Sequence, residues 1–134
     1  MEDHLTVMVE PVTGYPGAYW LRWSSYVAET DIRPAFHQLT HLLDEAHDPI
    51  HVLVDLRRNP RLPLQTTISE TMNGPFMHRN MGMWLVVGKN PRAEIVATVI
   101  TKVGRINSIL WFATEQEALR KLAELEREKI PVWA

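Results

Sequence analysis

An α/β fold is predicted by three features of the sequence. Short β-branched or aromatic runs alternate with longer stretches of helical apolar spacing; capping signals open several of those stretches; and IHVLVD at 50–55 is apolar enough for a strand covered on both faces. The expected order is strand, strand, helix, strand, helix, strand, helix, strand, helix (ββαβαβαβα), and each strand-helix-strand unit should cross over right-handed to a parallel neighbour.

LTVMV at 5–9 alternates with period two and AYWLRWS at 18–24 resembles a second strand, with GYPGA between them as the turn. A connection this short allows only an antiparallel hairpin, because parallel strands need a crossover of a dozen or more residues. From Thr30 the spacing changes to Ile32, Phe36, Leu39, Leu43 and Ala46, one helical stripe, with Thr30 or Asp31 as N-cap and Pro34 in the first turn. Pro49 closes that helix before the core strand 50–55.

Leu64, Ile68, Met72 and Phe76 recur every fourth residue until Asn73-Gly74-Pro75 interrupts them, so a helix is expected to about Asn73, followed by an irregular turn. MGMWLVVG at 81–88 reads as the next strand. Asn90-Pro91 is a helix start and Gly104 a stop; the β-branched AEIVATVITKV between them fits a strand as well, and the end signals favour helix. SILWF at 108–112 is the last strand, and Thr114-Glu115-Gln116-Glu117 is a capping box opening a helix that turns Ala118, Leu119, Leu122 and Leu125 inward. The tail IPVWA is short and apolar.

The 134 residues suit one domain with a core large enough to need no covalent staple, and the sequence has no cysteine, which removes disulfides, thiol nucleophiles and Cys-based metal sites together. The N-terminal MEDHLTVMVEPV has acids where a secretory signal carries basic residues, and the longest apolar runs fall far short of a membrane span, so a cytoplasmic protein without membrane insertion is expected. A formal net charge of -2 offers no global attraction to nucleic acid, although the stretch from Arg57 to Arg105 is basic.

HVLVDLR at 51–57, HRNMGMWLVVGKNP at 78–91 and FATEQEAL at 112–119 resemble segments of the STAS family of bacterial anti-sigma-factor antagonists, and more narrowly its divergent SpoIIAA-like members, also labelled STAS/SEC14-domain. The similarity spans nearly all of residues 1–134. It implies a single STAS-like domain acting by protein contact, without catalysis or cofactor, in a bacterial regulatory setting; the SEC14 side of the label implies a lipid-like or anionic small ligand instead. The family's phosphorylatable Asp-Ser-Ser/Thr-Gly motif is missing, and Thr66 and Thr67 are the nearest hydroxyls.

The resemblance also implies that the crossover helices cover one sheet face and leave the other less protected. If Ile50, Val52 and Val54 face the helices, parity sends His51, Leu53 and Asp55 the other way, and Trp84, Val86, Ile109 and Trp111 are expected to join them, with Trp20 or Trp23. Leu53, Trp84, Ile109 and Trp111 are therefore the expected apolar interface of a homodimer, unless that face is ordinary core covered by the last helix or the chain ends.

For chemistry the residues offer little. His37 and His41 lie one helical turn apart, with Asp44 or Glu45 nearby, but Gln38 stands where a metallopeptidase needs glutamate and both histidines fall off the apolar stripe, so no metal is expected. Gly14-Tyr15-Pro16-Gly17 precedes a strand and shapes a turn, not a phosphate loop. The remaining candidate is the rim beyond the strand ends, where Asp55, Arg57 and Arg58 meet Lys89, Asn90 and Arg92 at a helix start; it reads either as a weak site for an anion or acidic partner, or as Asp55 paired with an arginine beside solvated charges.

Overall fold

The computed structural model describes residues 5–105 and 107–128. Five strands, β1 (Val7–Val12), β2 (Tyr15–Trp23), β3 (Ile50–Asp55), β4 (Met81–Val87) and β5 (Ile109–Phe112), lie in the order β1-β2-β3-β4-β5. β1 and β2 are antiparallel and the other pairs are parallel. Four helices, α1 (Ile32–Glu45), α2 (Leu64–Asn73), α3 (Pro91–Gly104) and α4 (Glu115–Glu128), complete the predicted α/β order. None of the helices among the described residues is long and apolar enough to cross a membrane.

Two expectations shift at the first hairpin. β1 begins at Val7, because Thr6 spends its backbone N–H and its hydroxyl on the carboxylate of Asp31, at 2.9 and 2.8 Å. The turn is tighter than GYPGA: Val12 pairs directly with Tyr15 across Thr13-Gly14, and Gly14 has φ +85°, the left-handed backbone that such a two-residue turn requires. Asp31 occupies the position before α1 without a side-chain cap bond, and a 3-10 turn, Glu29–Asp31, leads in.

The ambiguous stretch after Asn90 is a helix, its first turn closed by Asn90 Oδ1, which accepts from the Ala93 N–H at 2.9 Å. The capping box forms as read: the Thr114 N–H donates to Glu117 Oε1 at 3.0 Å, and the Glu117 N–H donates to Thr114 Oγ at 3.2 Å.

The core has two layers. On one face α1, α2 and α3 pack over Leu21, Trp23, Val52, Val54, Trp84 and Val86; on the other, Ala118 and Leu122 of α4 close over Trp20, Leu53, Leu85 and Val87. Sequential strand order explains the split, since crossovers of one hand deposit all three connecting helices on the same side. α4 folds back across the opposite side.

This arrangement corrects the expected sheet-face interface. Val52 pairs with Trp84 and Trp84 with Ile109, while Val54 pairs with Val86 and Val86 with Trp111. Partners in a parallel ladder point the same way, so Trp84, Ile109 and Trp111 stand on the three-helix face with Trp23, and of the expected residues Leu53 and Trp20 lie on the other, under α4. Parity within β3 is as read; the error was the register of β4 against β3, which shifts between Ile50 and Val52. The tail at 130–134, another expected cover, lies outside the described residues.

Candidate functional site: a buried cavity and the charged rim beside it

Under α2 and α3 the sheet is incompletely filled. α2 takes its contacts chiefly from α3, α1 and the 3-10 turn Pro75–Met77, which hold it as a bridge above the strands. Its most buried residues are Thr67 and Thr71, while Leu64, Ile68 and Met72 pack at the margins of the core. α3 contributes Ala93, Val96 and Ala97 to the same region. Small side chains on two adjacent helices cannot fill the space above the sheet's tryptophans, and a cavity of about 70 Å³ remains.

The described residues lining this cavity are apolar or hydroxylic, and none is charged. Trp23 and Trp84 form its aromatic walls, each braced by a phenyl ring: Trp23 meets Phe36 edge-on at 6.3 Å and Trp84 lies 6.4 Å from Phe76. Ala97, Ile109 and Trp111 line both the cavity and an outer groove between α3 and the β5 edge, so the cavity meets the surface there. Trp111 is 41% exposed at that mouth.

The expected basic rim has a different character. Asp55 is buried at the end of β3 and accepts four hydrogen bonds. Its Oδ1 receives the Arg57 N–H at 3.1 Å and Arg57 Nε at 2.9 Å; its Oδ2 receives Arg57 Nη2 at 2.9 Å and Arg22 Nη1 at 2.7 Å. Arg22 also binds Glu10 and stacks 4.1 Å from the centre of the Trp20 ring, and Arg57 reaches Glu115 at 3.0 Å. Burial alone would raise the Asp55 pKa; the bonds from Arg57 and Arg22, with the charge of Arg57, outweigh it and hold the carboxyl at about 2. The Arg57 guanidinium is held above its ordinary value, chiefly by the same pairing.

Three carboxylates thus surround two guanidiniums, and an incoming anion would meet cations already committed. Asn90 is buried as the cap of α3; its Nδ2 donates to Asn59 Oδ1 at 3.0 Å and to the Pro60 carbonyl at 2.7 Å. Arg92 Nε donates to the Leu62 carbonyl at 2.6 Å, and Arg58 and Lys89 are exposed. The structure therefore brings Asp55 and Arg57 together and knits Asn90 and Arg92 into the neighbouring loop. Glu10, Arg22 and Glu115 were missed, although a lone arginine within the apolar AYWLRWS run was a signal that it needs an acid on the adjoining strand.

His37 and His41 stand on the exposed side of α1, where His41 lies 3.3 Å from Glu45. The Thr66 hydroxyl bonds the Glu29 carboxylate, and Thr67 is buried. No protein-family model matches this chain, and no curated protein matches it either.

Proposed function

We propose that this protein is a non-catalytic module that binds a small apolar ligand between its sheet and the α2–α3 layer. This corresponds to the ligand-binding alternative implied by the SEC14 side of the resemblance. The observation that carries the reading is the uncharged cavity walled by Trp23 and Trp84 and meeting the surface at Trp111. The ionisable groups nearest the strand ends are engaged with one another, which supports binding over proton transfer.

Native mass spectrometry of protein purified from its own cells tests this. Wild type should retain a small adduct, and Ala97→Trp, which blocks the shared mouth, should lose it. A wild type that carries no adduct and whose Val86, Val96 and Ile109 methyl resonances stay unmoved under xenon pressure would overturn the reading.

A regulatory homodimer is the second reading, relocated to the β5 edge. Glu94 and Lys102 line the groove beside exposed Trp111. A two-fold axis across that edge exchanges its ends and sets each Glu94 against the partner's lysine. Sedimentation at micromolar concentration should then give a dimer that Lys102→Glu dissociates and Glu94→Lys/Lys102→Glu restores; a monomeric wild type eliminates it.

A further inference from the structure

Among the described residues the sheet ends in two different edges, β1 and β5. β1 carries Pro11, which has no N–H to donate, and a register shift between Pro11 and Val12; both discourage a further strand. β5, Ile-Leu-Trp-Phe, has neither device and no charge. None of its residues is buried, whereas every residue of β3 is. An uncharged edge of this kind is a template for another strand.

Bonding to β4 fixes which backbone groups of β5 face outward. The Ser108 and Phe112 carbonyls accept from the Trp84 and Gly88 N–H groups, at 2.8 and 3.0 Å. Successive residues of a strand turn their N–H and C=O to opposite sides, so Leu110 shares the inward side, and Ile109 and Trp111 point theirs away from the sheet. Donor and acceptor at both positions match an antiparallel copy of the same strand. With Leu110 opposite the partner's Leu110, Ile109 faces the partner's Trp111, and each such pair exchanges both of its hydrogen bonds. Centring the axis on Ile109 or on Trp111 would instead set the other residue's outward groups against chain beyond the strand.

Side chains agree with that register. Its two-fold axis stands perpendicular to the sheet, so the three-helix faces of both copies lie on the same side. Each Trp111, 41% exposed, then covers the partner's Ile109, an aromatic and β-branched cross-strand pair. The same axis exchanges the ends of α3 and turns Glu94, which lines the groove above β5, toward the partner's Lys102. Resting on the homodimer reading above, we propose that a second copy of this chain adds to the β5 edge as an antiparallel strand, with Leu110 beside the partner's Leu110, joining both sheets into one.

The sequence has no cysteine, so the register can be tested by cross-linking. Residues opposite one another in a non-hydrogen-bonded pair have Cα atoms about 4.5 Å apart, within disulfide reach, whereas Ile109 and the partner's Ile109 would stand about 7–8 Å apart. Under mild oxidation at micromolar concentration, Leu110→Cys should form a disulfide-linked dimer roughly tenfold faster than Ile109→Cys or Trp111→Cys. Ile109→Pro removes an outward N–H, leaves the bonds to β4 intact, and should weaken the sedimenting dimer roughly tenfold. If that variant does not fold, wild-type hydrogen exchange carries the test: the Ile109 and Trp111 amides should slow roughly tenfold as concentration rises and dimer forms. A wild type that sediments as a monomer at micromolar concentration overturns the strand pairing and the homodimer reading together. A dimer whose Ile109 and Trp111 amides exchange as fast as in the monomer overturns the strand pairing and leaves the homodimer reading standing. Faster cross-linking through Ile109→Cys or Trp111→Cys overturns the register.

Discussion

At Asp55, burial and hydrogen bonding pull the carboxyl in opposite directions, and the four bonds from Arg57 and Arg22 win. A carboxyl held at about 2 against an ordinary value of 3.8 contributes about 2 kcal/mol at neutral pH. Because the folded value is depressed, that contribution is complete above the unfolded value and disappears as pH falls from about 4 through about 2. Asp55→Asn should therefore be about 2 kcal/mol less stable than wild type in urea at pH 7, and the two should converge near pH 2; a gap unchanged at pH 2 would assign the loss to something other than ionised pairing. Thr67 is the opposite case, a buried hydroxyl that costs stability in the free protein. Thr67→Val keeps its shape and should raise unfolding free energy by about 1 kcal/mol in the same assay. Asp55 was legible in the sequence as a strand-end acid among arginines, while Thr67 was not, because a threonine in a helix carries no signal of which way it faces.

Among the elements, the loops after β3 and β4 are built as one piece. Gly88, at φ +105°, passes so close that a Cβ there would lie 3.0 Å from the Leu56 carbonyl carbon, and Asn90 then ties α3 to Asn59 and Pro60. Asn90→Ala removes a cap and two tertiary bonds from a site 1% exposed, and should cost about 2–3 kcal/mol. Thr114→Ala removes only an exposed capping box and should cost about 1 kcal/mol. Equal losses in thermal or urea unfolding would mean that Asn90 acts as a cap alone. Both caps were readable as local motifs, and so was each helix, because end signals depend on a few adjacent residues. The inward face of α2 is not readable in that way. A four-residue apolar repeat identifies the stripe that prefers burial, but α2 lies between α1 and α3, so that stripe meets its neighbours' flanks and Thr67 and Thr71 turn toward the sheet.

For the whole molecule, sequential strand order creates two unequal faces. The three-helix face holds the cavity; the other is sealed by one helix whose Leu122 is wholly buried against the sheet. Strand order follows from the crossovers, but register across the sheet depends on pairing between segments some thirty residues apart, which explains why Trp84 and Trp111 were assigned to the wrong side. Sealing and opening predict different responses to truncation. Leu122→Ala leaves a void beneath α4 where neighbours from three strands cannot all close in, and should cost about 3 kcal/mol. Trp111→Ala removes a larger side chain, yet one already 41% exposed at the edge strand, so it should cost about 2 kcal/mol, less than Leu122→Ala. Urea denaturation of the two variants checks the order. If Trp111→Ala proves the more damaging, Trp111 supports the core beneath it and does not form the mouth of a site; if Leu122→Ala is nearly silent, α4 is a detachable cover and the face beneath it regains its claim to be an interface.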